Sequence, residues 1–302
     1  MILAQIPASE LRTRLARGHL ALQVGPFRFR VTSPLASVSE GLATLYPDFE
    51  LVAEDEFIDF HVSVTPPAGV RRWIRPQANF SFDGRVPFKP LPADQAMPML
   101  EWGLNWVISN HAHQYLMLHA AVVERNGRAM ILPAPPGSGK STLCAGLVNR
   151  DWRLLSDELT LIRLTDGLVV PISRPVSLKN RSIEIVRGLG RHVVVGTPCA
   201  DTGKGTVAHM RPPTDSVRRM AEPARPAWVV FPQFIQNGEP TCEARGKSTA
   251  FVELVHNAFN YNLLGLAGFN ALSGLVDACD VHRITYGSLE QAYTAIDALT
   301  GE

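Results

Sequence analysis

The sequence predicts an α/β protein, and three observations carry that expectation. Apolar residues alternate in short runs near both ends of the chain, as in Leu20-Ala21-Leu22-Gln23-Val24 and over 281–286, the spacing of half-buried strands. Between such runs lie stretches with apolar residues three and four apart, the spacing of helices that cover a sheet. One strand-like run, 128–132, passes through a Gly/Pro-rich loop straight into a helix-forming run at 140–149.

Leu20, Leu22 and Val24, then Phe27, Phe29 and Val31, alternate around Gly25-Pro26 and predict two strands joined by a turn. Arg28 and Arg30 fall on the opposite, solvated face of the second strand. Ser33 is placed to cap a helix that starts at Pro34, carries Leu35, Val38, Leu42 and Leu45 on one face, and ends at Tyr46-Pro47. Ile58, Phe60, Val62 and Val64 predict a third strand. The prolines and glycines of 66–92 predict loops and edge strands. A longer helix is expected over 98–111, with Leu100, Leu104, Val107 and Ile108 as its stripe and Trp102 and Trp106 beside it. A boundary just before it divides a small N-terminal α+β region, 1–92, from a larger domain, 93–302.

In the larger part strands and helices alternate. Residues 116–123 and 128–132 predict strands around Asn126-Gly127, a strong hairpin signal. Residues 154–163 are strand-like, with a turn at Asp166-Gly167, and 228–231 read as a buried strand. Phe251, Leu254, Val255 and Ala258 share a helical face, 263–276 predict another helix and 281–286 a strand. Ser288 with Gln291 reads as a capping box on the last helix.

The chain has 302 residues, 46% hydrophobic and 19% charged, with 29 Lys plus Arg against 28 Asp plus Glu. That is enough apolar material for a sizeable core and too little charge for general disorder. A net charge of +1 gives no bulk attraction to nucleic acid or anionic membrane, so neither is an expected partner. Cys144, Cys199, Cys242 and Cys279 lie far apart without a C-x-x-C pair or zinc spacing, and read as small core residues of a reduced, cytoplasmic protein. Residues 1–8 lack the length and charge of a signal peptide, and no apolar run reaches the roughly 18 residues of a membrane span.

Residues 128–143 read RAMILPAPPGSGKSTL. Strand, glycine loop and helix in that order are the context a phosphate-binding P-loop requires. Gly137 and Gly139 let the backbone approach an anion without a Cβ in the way, successive N–H groups form a nest, and the helix adds its positive end. Lys140 is expected at the β- and γ-phosphates and the Ser141 hydroxyl on Mg²⁺, so the nucleotide-binding set is Pro136, Gly137, Ser138, Gly139, Lys140, Ser141 and Thr142. One position departs from G-x-x-x-x-G-K-[ST]: its first Gly is Ala134, followed by two prolines that lack N–H donors. No N-K-x-D base-reading motif accompanies the loop, and Ala271-Leu272-Ser273-Gly274-Leu275 is only a fragment of an ABC-type signature.

Two flanking passages narrow the class. Leu118-His119-Ala120-Ala121-Val122 precedes the loop by one hairpin, and Asn149-Arg150-Asp151-Trp152-Arg153-Leu154-Leu155-Ser156-Asp157-Glu158 follows its helix. With the loop, these resemble HPr kinase/phosphorylase, which has a His-Gly pair before a G-K-S loop and an acidic pair after it. Here the pairs are His119-Ala120 and Asp157-Glu158. Ile183-Glu184-Ile185-Val186-Arg187-Gly188-Leu189-Gly190 resembles that family's "LEIRGLG" segment with one extra residue. The resemblance covers about 115–190. The stretch Asn257-Ala258-Phe259-Asn260-Tyr261, with Gly265 and Gly268, is similar to the HprK-related kinase A proteins, some of whose relatives phosphorylate a serine of a ribosomally made peptide.

The resemblance implies a P-loop kinase core of the HPr kinase/PEP carboxykinase type over 93–302. It implies ATP and Mg²⁺ as cofactors and a hydroxyl as acceptor, most simply a serine of a peptide or small protein. Asp157 is then the base that takes the hydroxyl proton. Glu158, which on a regular strand points to the opposite face, orients His119 or a water, and His119 polarises the acidic pair. Ser141, Glu184 and Asp157 are the implied metal ligands. Lys204, Arg211, Arg218 and Arg219 form a basic stretch that a substrate or phosphate can meet. A homo-oligomer is implied as well. Two other readings stay open, a kinase for a small hydroxylated metabolite and a non-catalytic ATP-binding partner protein; a PEP-carboxykinase-like decarboxylase is disfavoured by length and missing metal motifs.

Overall fold

The computed structural model describes residues 1–135 and 137–301. Among these the chain is mixed α/β with several sheets. Helix α1 (Ala8–Arg17) ends on Gly18 at φ 74° and leads into the hairpin β1 (Leu20–Val24) and β2 (Phe27–Thr32). Phe27, Phe29 and Val31 are buried while Arg28 and Arg30 alternate with them. Arg28 is pinned rather than merely solvated, its guanidinium 2.6 Å from Glu56. Helix α2 (Ala36–Leu45) begins two residues later than the cap at Ser33 predicts. The Ser33 hydroxyl instead accepts the Leu35 N–H at 3.2 Å, a local turn that competes with helix initiation.

β3 (Phe60–Thr65), β4 (Gln77–Phe82) and β5 (Leu91–Pro92) complete a sheet of order β1-β2-β3-β4-β5. Helix α3 (Ala96–His111) packs on β3 and β4. Its Gly103 lies under Phe80, whose ring would be 2.1 Å from a Cβ at that position, so a helix-weakening glycine is retained for close packing. The helix expected to open the second region therefore rests on the N-terminal sheet.

The chain continues through β6 (Tyr115–Leu118), β7 (Ala120–Arg125), β8 (Arg128–Pro133), α4 (Lys140–Val148), β9 (Arg153–Ser156), β10 (Thr160–Arg163) and β11 (Val169–Val170). It then forms β12 (Val176–Lys179), α5 (Arg181–Arg187), β13 (Cys199–Thr202), β14 (Gly205–Met210) and α6 (Thr214–Arg218). The last part holds β15 (Arg225–Phe234), β16 (Thr241–Ala244), α7 (Lys247–His256), α8 (Tyr261–Leu264), α9 (Leu266–Ala278), β17 (Asp280–Tyr286) and α10 (Leu289–Thr300). Met1–His111 with Ser177–Arg218 make one compact unit; Ala112–Val176 with the chain from Arg219 onward make the other.

The second unit is built on a sheet of order β16-β17-β15-β8-β7-β9, in which β8, β15 and β17 run parallel. Ile131, Val229, Leu254, Leu272 and Leu275 share one buried cluster beneath it, each fully buried aliphatic side chain contributing about 1.5–3 kcal/mol over exposure. A smaller sheet of order β11-β10-β6 stands beside it. The helix expected over 263–276 is broken into α8 and α9 at Gly265, whose φ of 54° and ψ of −125° suit only glycine. At α10 the Ser288 hydroxyl accepts the Gln291 N–H at 3.3 Å, but the Gln291 side chain accepts from Gly287, one residue before the cap, at 2.7 Å. No helix among the described residues is long and apolar enough to cross a membrane.

Candidate functional site

The glycine loop joins the C-terminal end of β8 to α4. Gly137 at φ 87° and Gly139 at φ 88° lie in the left-handed region, which a side chain would disfavour. Ala134 does not: its φ is on the ordinary side and its methyl is buried at 2% exposure. The departure from the glycine pattern thus falls where this loop needs no glycine. Pro136 lies outside the described residues. Helix α4 begins on Gly139 without a side-chain cap, so its first-turn N–H groups are available to an anion. Ser141 and Thr142, both half-buried, stand in that first turn.

Two chain segments predicted as continuous strands are each broken, and the breaks coincide. β6 pairs antiparallel with β10 in the small sheet, with Leu118 opposite Thr160. β7 pairs antiparallel with β9 in the large sheet, with Val122 opposite Ser156. Where both segments change sheet, one leaves His119 between strands and the other leaves Asp157, Glu158 and Leu159. The Thr160 hydroxyl donates to the Ala120 carbonyl across the gap at 3.2 Å. Ser156 closes its own side: its hydroxyl donates to the Leu159 carbonyl at 2.6 Å and accepts the Leu159 N–H at 3.2 Å. Asp157 and Glu158 therefore sit on a tight turn, and the strand alternation that would send Glu158 to the opposite face does not apply. Asp157 is buried at 5% exposure and Glu158 is half-buried.

Lys140 reaches this junction. Its ammonium Nζ is 3.0 Å from His119 Nε2, a contact that requires the neutral ring with Nε2 as acceptor. Cys144, one turn along α4 and fully buried, has its Sγ 3.9 Å from the Ser156 carbonyl. Its thiol is pushed well above the usual range, first by burial and then by the Asp157 charge, with Lys140 acting in the opposite sense.

Other expected residues have contacts of their own. Glu184 belongs to the first unit, on α5; its carboxylate is 74% exposed and pairs with Arg187 at 3.0 Å. Lys204 lies over the Trp102 ring at 5.1 Å. Arg219 pairs with Glu222 at 2.8 Å. No group of three or more His, Cys, Asp or Glu side chains among the described residues is arranged to hold a metal ion; a Mg²⁺ ion here would draw on the Ser141 hydroxyl, a carboxylate, phosphate oxygens and water.

The C-terminal segment after α7 also reaches the junction. The His119 N–H donates to the Asn257 carbonyl at 2.7 Å, and the Phe259 ring meets the imidazole edge-on at 6.0 Å. Asn260 is nearly buried; its Oδ1 accepts the Met117 N–H at 3.0 Å and its Nδ2 donates to the Tyr115 carbonyl at 2.8 Å, so one side chain continues the edge of β6. Periodicity gave no sign that these residues line the break; the local signals are the Asn-rich run after a helix and its resemblance to the HprK-related kinase A proteins.

Among the comparisons with known proteins, a family model described as "ScmC: SynChlorMet cassette protein ScmC" matches residues 91–168, a stretch containing His119, the glycine loop and Asp157. No curated protein matches. Among solved structures, that of the Hpr(Ser) kinase/phosphatase from Coxiella burnetii is similar at 10% identity with a TM-score of 0.26, covering 61% of this chain and 97% of that chain.

Proposed function

We propose that the second unit is an ATP-dependent phosphotransferase site acting on a hydroxyl, most simply a serine of a peptide or small protein. The observation that carries it is the contact of Lys140 with His119 at the break shared by β6/β7 and β9/β10, the same break that carries Asp157. A loop that cradles phosphates places its lysine at the β- and γ-oxygens. The γ-phosphate then lies toward His119 and Asp157. Asp157, a buried carboxylate at the tip of a turn, accepts the proton of the acceptor hydroxyl as that oxygen bonds the γ-phosphorus. The β–γ bridging oxygen leaves with ADP, its charge met by Lys140 and the α4 N-terminus. His119 holds the Lys140 ammonium in line until phosphate takes its place. Mg²⁺ would be held by the Ser141 hydroxyl and the Asp157 carboxylate, where it would neutralise phosphate charge.

The test is transfer from γ-labelled ATP to hydroxyl-bearing acceptors, a serine peptide and free metabolites side by side, with Asp157→Asn beside the native chain. Loss of a positioned base costs about 10²–10⁴-fold in rate, with binding of Mg²⁺-free ATP retained. Undiminished transfer by the variant would exclude Asp157 as base. ATP binding without turnover of any acceptor would favour a non-catalytic ATP-binding protein.

A further inference from the structure

The loop has a second flank. In the large sheet β8 lies between β7 on one side and β15 on the other. His119 and Asp157 lie on the β7/β9 side, so a triphosphate with its γ end there leaves its nucleoside toward β15 and β17. At the end of β15 the Phe234 N–H donates to the Ser138 carbonyl at 3.1 Å, inside the loop. Phe234 Cβ lies 3.0 Å from where a Cβ of Gly139 would stand. Its ring is 42% exposed, an unusual state for a phenylalanine packed on a loop and a strand end, and is held edge-on by Tyr286 of β17 at 5.9 Å.

Tyr286 adds an independent observation. It is 2% exposed, and among the described residues its hydroxyl has no hydrogen-bond partner. That hydroxyl lies 2.9 Å from the Cβ position of Gly139. The hydroxyl of Ser138, the residue before Gly139, is likewise buried without a partner among the described residues. Buried hydroxyls rarely stay unsatisfied, and two of them under one edge of a glycine loop mark a place where a polar ligand or its water completes the set.

We infer that Phe234 is the platform on which the nucleobase stacks, a specificity-determining residue for nucleotide over bare phosphate. The inference rests on the nucleotide reading of the loop. An aromatic face takes any base, so Phe234 selects for a nucleoside without selecting among bases. Tyr286 holds the ring's angle from below and, with Ser138, offers hydroxyls to the ligand.

The experiment measures dissociation constants of the full chain for ATP and for inorganic tripolyphosphate, with native protein, Phe234→Ala and Phe234→Leu. Loss of a base–aromatic stack weakens ATP binding by about tenfold in both variants and leaves tripolyphosphate within about twofold, while Phe234→Tyr keeps native ATP affinity. Phe234→Leu retains apolar bulk against Tyr286, so a shared loss in both variants is not a folding defect. Unchanged ATP affinity, or an equal loss for tripolyphosphate, overturns the inference; in either case tripolyphosphate binding by the native chain still upholds the phosphate loop. A native chain that binds neither ligand overturns both.

Discussion

Replacing Lys140 by methionine should weaken ATP binding while leaving the aliphatic packing of the side chain in place. The side chain is only 7% exposed, and its Nζ lies 3.0 Å from His119 Nε2. Methionine keeps an unbranched stem of similar length, so packing along the aliphatic part survives. What disappears is a charge held largely out of water, whose burial itself carries a penalty. His119 loses one donor, but it is only half-buried and water can replace it. Charge-assisted hydrogen bonds to phosphate are worth about 1.5–3 kcal/mol, which converts to about 10–150-fold weaker ATP binding at 1.36 kcal/mol per decade. Calorimetric titration of ATP reads the loss. ATP affinity within about twofold of native would refute the placement of the phosphates at Lys140.

Two further outcomes concern stability. Glu124 of β7 and Arg153 of β9 form a buried ion pair with side chains 2% and 4% exposed, and Arg153 also donates to the carbonyls of Arg219 at 2.9 Å and Glu222 at 3.1 Å. Glu124→Ala strands that guanidinium and removes the acceptor of the Gly127 N–H in the hairpin turn, so denaturant unfolding should show a loss of about 3–5 kcal/mol; a loss under about 1 kcal/mol would mean the pair is hydrated. Cys279 has its thiol pushed by burial from 9.0 to about 12, so the folded state holds a proton the unfolded chain releases. That stability is complete below pH 9 and falls between pH 9 and 12 by about 1.4 kcal/mol per pH unit. Chemical unfolding across that window should be steeper in pH for the native chain than for Cys279→Ala, and equal slopes would refute it.

Much of the architecture is readable residue by residue. The β1–β2 hairpin follows from alternation around Gly25-Pro26, and the β7–β8 hairpin turns at Asn126-Gly127, where both residues have positive φ. The residues 134–142 have a strand before them and a helix after them because each signal is local. Other features depended on partners far along the chain. The runs 116–123 and 154–163 look unbroken because apolar content continues through them, yet each is split between two sheets. Residues 177–218 share a compact unit with 1–111, and nothing in their composition announces it. Asn257, Phe259 and Asn260 meet β6 and His119 through pairings more than a hundred residues apart.

By itself the sequence determined that a glycine loop with a lysine would cap a strand and open a helix, because left-handed glycines and an uncapped helix N-terminus are set within a few residues. With the resemblance it also supplied His119 and the Asp157-Glu158 pair as linked candidates on either side of the loop. Only the tertiary structure decided that both stand where two antiparallel segments leave one sheet for another, with Lys140 reaching His119 and Phe234 flanking the loop from the other side. Sheet membership is fixed by which strands pair, a property of the whole chain's packing that the order of residues along one strand does not carry.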